Sequence, residues 1–346
     1  MRSEDCLYLN IWTPASGKVD AKLPVAVWIH GGAFDHGYGY EIEFDGEAYA
    51  KRGVVLVTIN YRLGLLGFIA HPALSKENPQ KASGNYGLLD QLAAVEWVRQ
   101  NIRQFGGDPE NITCFGQSAG AMSVRCLSAS PLAKGKFQRA IIQSGGGLDA
   151  IDPTESLASA EQMGVEILGD RTAEELRSLT VEELQTLYGE WAKKQKTWRM
   201  LMPILDGYSL TENFAEMTKA GRLPERSYML GGTEQDMAIF KTGKSHGDFS
   251  LEQIKKGAKP AYVYHFARQL PGDNAGAFHS SELWYMFGTL NRCWRPFTIG
   301  DTQLSETMLG YWTHFMRTGD PNGRDLAPWA PYTEQTPEIH RFDIEK

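Results

Sequence analysis

Two continuous apolar runs break the polar background of the first sixty residues: Pro24-Val25-Ala26-Val27-Trp28-Ile29 and Gly53-Val54-Val55-Leu56-Val57-Thr58-Ile59-Asn60. Their β-branched, non-alternating character predicts strands covered on both faces, as in a largely parallel sheet packed between helices. Further strand candidates are Ile112–Phe115, Arg139–Gln143, Ser227–Leu230 and Ala261–Phe266. Between Gly87 and Phe105 the period changes. There Leu88, Leu92, Val95, Val98 and Ile102 recur at spacings of three and four, which lays one apolar stripe along a helix. The order alternates strand and helix, so the pattern predicts an α/β fold with a doubly wound, mostly parallel sheet.

Helix starts and stops are legible in places. Thr172-Ala173-Glu174-Glu175 and Thr180-Val181-Glu182-Glu183 fit capping boxes, and residues 152–200 read as a small, polar helical cap within one domain spanning 1–346. Trp191, Trp198 and Met200 in it are candidates to line a pocket, although aromatic residues at helical spacing usually pack a core. A later helix is predicted from Asp301 as N-cap through Leu304, Met308, Trp312 and Phe315 to a stop at Thr318-Gly319-Asp320-Pro321.

Candidate chemistry centres on Gly116-Gln117-Ser118-Ala119-Gly120, preceded by the apolar run Ile112–Phe115 and followed by a helix-compatible segment. This is the pattern of a nucleophile elbow, a sharp strand-to-helix turn that holds a serine in a strained conformation at the end of a sheet. Glycine is needed on both flanks because the neighbouring chain passes too close for a Cβ. A second feature follows the first predicted strand. His30-Gly31-Gly32-Ala33-Phe34 is a glycine-rich loop whose backbone N–H groups can point at an anion, as an oxyanion requires.

Two long stretches, Phe105 to Gly120 and Ser3-Glu4-Asp5-Cys6-Leu7-Tyr8-Leu9-Asn10-Ile11-Trp12-Thr13-Pro14, resemble the two signatures of the type-B carboxylesterases, a family of the α/β-hydrolase fold that includes the cholinesterases. The resemblance covers most of Ser3 to Phe342 and thins over Ala150–Trp198 and Phe240–Gly257. It implies a serine carboxylic-ester hydrolase with Ser118 as nucleophile, needing no metal or organic cofactor, and oxyanion donors at the N–H groups of Gly32, Ala33 and Ala119. Of eight histidines, only His279 lies in a stretch similar to the family's histidine loop. For the acid, anchoring on Gly231 places Asp236 where the family usually has glutamate. Asp206 is the alternative carboxylate, though it precedes the strand and looks like a turn residue. His246, His265, His314 and His340 are read as lying in a loop, a strand, a helix and the C-terminal tail.

Gln117 departs from the many relatives with glutamate before the serine, which favours small neutral esters over cationic ones. The same triad also serves amides and carbamates, and the fold also serves non-catalytic recognition modules. Such modules typically lose the serine.

Composition narrows the rest. With 346 residues, 42% hydrophobic and 22% charged, the chain is of ordinary globular type. A net charge of −7 offers no basic patch for nucleic acid, and no apolar run is long enough to span a bilayer. The start, Met1-Arg2-Ser3-Glu4-Asp5, has no signal-peptide pattern, so a cytoplasmic location is expected. The four cysteines lack metal-ligand spacing and read as free thiols. Met1 falls directly before the second signature, where relatives usually carry further strands. Their absence predicts an unpaired sheet edge and self-association.

Overall fold

A computed structural model describes residues 3–196 and 199–344. Its centre is one eight-stranded sheet in the order β1-β3-β2-β4-β5-β6-β7-β8. The strands are β1 (Leu9–Trp12), β2 (Leu23–Ile29), β3 (Val55–Ile59), β4 (Gly107–Gln117), β5 (Arg139–Gln143), β6 (Ser227–Thr233), β7 (Tyr262–Phe266) and β8 (His340–Phe342). All neighbours run parallel except β1, which pairs antiparallel with β3. This mostly parallel, doubly wound sheet with helices on both faces is the α/β-hydrolase fold.

The apolar runs are continuous because alternate residues of each strand feed two different cores. On one face Val25, Val27 and Ile29 pack with Leu88, Leu92, Val95 and Val98 of the helix Tyr86–Asn101 and with Val124 and Leu127 of the helix Ala119–Ala129. On the other, Ala26, Trp28 and Phe115 meet Met308, Trp312 and Phe315 of the helix Ile299–Thr318. Trp28 is wholly buried there, with the rings of Phe44, Phe115 and Phe287 about it at 4.9 to 5.1 Å.

Several boundaries differ from the sequence reading. The last long helix begins at Ile299, with Thr298 as N-cap and Asp301 as its capping-box partner. The Asp301 carboxylate also binds Arg268 (2.7 Å) and Tyr285 (2.6 Å), so it serves three elements rather than ending one. His246 lies buried within the helix Lys244–Lys255, not in a loop, and His340 sits on β8 rather than in a tail. Residues 152–196 include helices Leu157–Leu168, Ala173–Ser178 and Val181–Gln195, the latter two with capping boxes at Thr172 and Thr180. Trp191 and Met200 pack against the first core, while Trp198 lies outside the described residues. No described helix is long and apolar enough to cross a membrane.

Candidate active site

Strand β4 runs straight into the helix Ala119–Ala129, and Ser118 occupies the turn with φ 57° and ψ −125°. A non-glycine residue at positive φ is strained, and such strain at a chain crossing is characteristic of functional sites. The strain is held in place from both sides. Ser118 N–H donates to the Gln143 carbonyl at 2.9 Å, and Met122 N–H donates to the Ser118 carbonyl at 2.9 Å, starting the helix. The flanking glycines are obligatory: a Cβ on Gly116 would stand 2.5 Å from the Gly120 carbonyl carbon, and one on Gly120 would stand 2.0 Å from the Ile29 carbonyl oxygen.

Asp236 and His279 arrive from loops that follow β6 and β7. The ring Nδ1–H of His279 donates to Asp236 Oδ1 at 2.6 Å, and Phe240 stacks on the ring at a centroid distance of 5.6 Å. Asp236 is buried and fully engaged. Its Oδ1 also accepts from Met237 N–H (2.8 Å), while Oδ2 accepts from Ser144 O–H (2.6 Å) and Thr233 N–H (3.2 Å). Burial alone would raise its pKa, but the bonds from His279 and Ser144 outweigh that and hold the carboxyl below the usual range. Asp206, by contrast, accepts from Tyr208 N–H, Leu210 N–H and Ser209 O–H within its own turn.

With Nδ1–H given to Asp236, Nε2 of His279 is an acceptor. The Gln117 amide N–H donates to it at 3.2 Å, and among the described residues no hydrogen bond joins it to Ser118. Hydrogen bonds between reacting groups are commonly long in free sites and tighten on binding.

The loop after β2 carries the other half of the site. Gly32 and Ala33 both adopt positive φ, 104° and 53°. Among the described residues the N–H groups of Gly32, Ala33 and Ala119 donate to no protein acceptor, so three donors are unspent beside Ser118. Gly31 lies against it: a Cβ there would come within 3.1 Å of Ser118 Cβ. The loop is fixed by His30, buried, stacked on Tyr61 at 4.5 Å and bonded through Nδ1 to the Gly31 carbonyl at 2.8 Å. Burial pushes the His30 pKa down to about 4, so this ring is neutral.

Three residues beside the site were not found from sequence. Ser144 stands at the end of β5 and bonds Asp236; its signal was the glycine run Gly145-Gly146-Gly147 after a strand. Gln143 and Glu282 gave none. Glu282 is wholly buried, one carboxyl oxygen 3.5 Å from the Gln143 amide and the other without a partner among the described residues, and burial followed by the charge of Asp236 pushes its pKa up to about 7.

A strained serine at a strand-to-helix turn, unspent N–H donors beside it and a carboxylate-bound histidine place the chain among the α/β-hydrolases. The comparisons are more specific. The Carboxylesterase family model matches residues 1–255 and 248–346. The chain is 45% identical to the fumonisin B1 esterase of Sphingopyxis macrogoltabida over 242 residues, covering 69% of this chain but 44% of that protein. It is 34% identical to the para-nitrobenzyl esterase of Bacillus subtilis (strain 168), covering 99% of this chain and 80% of that one. A solved thermophilic PNB esterase superposes with a TM-score of 0.86 at 31% identity, covering 99% of this chain and 81% of the other. The chain belongs to the carboxylesterase family and is an ester-hydrolysing enzyme of that class.

Proposed function

We propose that this chain hydrolyses neutral carboxylic esters through an acyl-enzyme on Ser118. His279 Nε2 takes the Ser118 hydroxyl proton as Oγ bonds to the ester carbonyl carbon, and Asp236 holds the ring in the tautomer that leaves Nε2 free. The carbonyl oxygen becomes an oxyanion, and the N–H groups of Gly32, Ala33 and Ala119 stabilise it, each donor being worth about 3 kcal/mol. His279 returns the proton to the departing alkoxide as the carbon–oxygen bond breaks. Water, deprotonated by the same nitrogen, then attacks the acyl carbon and frees the acid and Ser118.

The observation carrying this reading is the 2.6 Å Asp236–His279 bond beside the elbow. Neutral substrates are favoured because position 117 carries an uncharged amide already engaged with His279. A fluorophosphonate probe should label the native chain, and Ser118→Ala should abolish both labelling and turnover of p-nitrophenyl acetate. Labelling that survives the substitution refutes the assignment.

A further inference from the structure

Where β5 and β6 begin, a cavity of about 310 Å³ opens beside the segments that lead into the two strands. The strands run parallel, with Arg139 beside Ser227 at their starts and Gln143 beside Gly231 near their ends. Ser144 and Asp236 follow those ends, so the cavity lies across the length of β6 from them, about 20 Å away. It is no part of the proposed ester site.

Its wall is cationic. Arg139, Arg226 and Lys259 line it against one carboxylate, Glu225, which stands 3.6 Å from Lys259. Among the described residues neither guanidinium has a carboxylate within 4.0 Å, although Arg226 is buried and Arg139 is half-buried. Arg226 lies over the Phe137 ring at 4.0 Å and donates to the carbonyls of Phe137 (3.2 Å), Ser128 (3.2 Å) and Ala133 (3.3 Å). Arg139 donates to the Asn111 side chain and to the Arg317 carbonyl (3.2 Å), and burial pulls its pKa below the ordinary value. Ser128 and Arg317 belong to the last turns of the helices Ala119–Ala129 and Ile299–Thr318. Each helix end supplies about half a negative charge. Three cations against Glu225 and two helix ends therefore leave about one positive charge without a counter-charge in a partly dry place, an unfavourable arrangement until an anion joins it.

We propose that this cavity is a second binding site, separate from the triad, that takes a phosphate group, with Arg139, Arg226 and Lys259 supplying the charge and Ser227 a hydroxyl. A guanidinium offers its donors as a planar fork, which matches the oxygens of a phosphate two at a time, so two forks and an ammonium suit a tetrahedral anion with several acceptors. The volume argues in the same direction. It is about ten times the share of one water in the liquid, so a chloride ion would leave most of it wet, whereas a phosphate or a small phosphate ester would occupy it.

The test is calorimetric titration of the full chain with inorganic phosphate, at an ionic strength held constant with chloride. Saturable binding in the millimolar range or tighter is expected. Arg139→Gln should weaken it about tenfold or more, as loss of a hydrogen bond to a charged group does. Lys259→Gln should weaken it about threefold and Glu225→Gln should tighten it about threefold, the one removing an attraction and the other a repulsion across a few ångströms of wet surface. Lys259 and Glu225 are exposed, so these two variants keep the fold whatever Arg139→Gln does, and circular dichroism checks it. Glycerol phosphate distinguishes the sources: binding tighter than inorganic phosphate assigns the site to a phosphate ester, the reverse order assigns it to free phosphate, and both sustain it. Succinate binding as tightly as phosphate overturns the assignment to a phosphate group. The absence of saturable binding overturns the site, and so does an affinity that ignores both Lys259→Gln and Glu225→Gln, because the phosphate then sits elsewhere.

Discussion

Asp236→Asn exchanges one carboxylate oxygen for an NH2 group at a position where every neighbour donates. His279 Nδ1–H and Met237 N–H face Oδ1 at 2.6 and 2.8 Å, and Ser144 O–H and Thr233 N–H face Oδ2 at 2.6 and 3.2 Å. Ser144 can rotate its hydroxyl and His279 can change tautomer, but the two backbone N–H groups cannot turn away. Either orientation of the new amide therefore sets one buried N–H against another donor, which costs about 1–3 kcal/mol of stability. The functional cost is larger. With NH2 toward His279, the ring must carry its proton on Nε2 and cannot accept one from Ser118; with NH2 toward Thr233, the ring keeps its tautomer but loses the charge that stabilises imidazolium. The same exchange in the Ser-His-Asp protease triad lowers kcat by about 10⁴, or about 5 kcal/mol at 1.36 kcal/mol per factor of ten. Steady-state kinetics on p-nitrophenyl acetate should show kcat falling by about that factor with KM changed little, since Asp236 is buried behind the ring. Asp236→Glu should keep part of the activity. Glu234→Gln should be nearly silent, because Glu234 faces Arg341 (3.6 Å) and Gln269 (3.5 Å) instead. A crippled Glu234→Gln beside a normal Asp236→Asn would refute the reasoning.

Glu282→Gln tests the buried acid. Its folded pKa is pushed up from an ordinary value near 4.5 to about 7, so between those values the native state binds the proton that the unfolded state has released, and stability falls as pH rises through the window. Glutamine has no such dependence. Relative to the native chain the variant should gain up to about 3 kcal/mol between pH 4.5 and pH 8, measured by urea unfolding, and an unchanged difference across that range would discard the shift. Gly32→Ala tests the oxyanion loop: the methyl would stand 2.0 Å from the His36 carbonyl oxygen at a φ of 104°, so the loop must move, and kcat should fall by about 10²–10³ as a donor is displaced. Native kcat in a correctly folded Gly32→Ala protein would remove that loop from the mechanism.

The central strands β2, β3 and β5 were legible because burial on both faces leaves a strand no polar side to show, and an unbroken apolar run is a local signal. The outer strands β1 and β8 gave none. Leu9–Trp12 and His340–Phe342 are short and mixed in polarity, and each is a strand only because a neighbour offers its edge in register, Ile59 to Leu9 and Phe266 to Phe342. Helix ends divide in the same way. The boxes at Thr172 and Thr180 close over three residues and could be read, whereas Asp301 looked like an N-cap of its own and was claimed instead by Thr298 before it and by Arg268 and Tyr285 from elsewhere in the chain.

At the site, the elbow was written into the chain, because a strand, a glycine-framed serine and a helix follow one another and close approach dictates their residues. The other half was decided in space. His279 and Asp236 stand 43 positions apart; a family likeness indicated the loops, but their 2.6 Å bond exists because β6 and β7 are adjacent in the sheet. The engagement of Ser144 with Asp236 had only the glycine run after β5 as its signal, and the Gln117 amide on His279 and the Glu282 oxygen that has no partner among the described residues had none. A hydrogen bond between side chains from different strands depends on strand order and on what is excluded from water around it, and those are properties of the assembled sheet rather than of any stretch of residues.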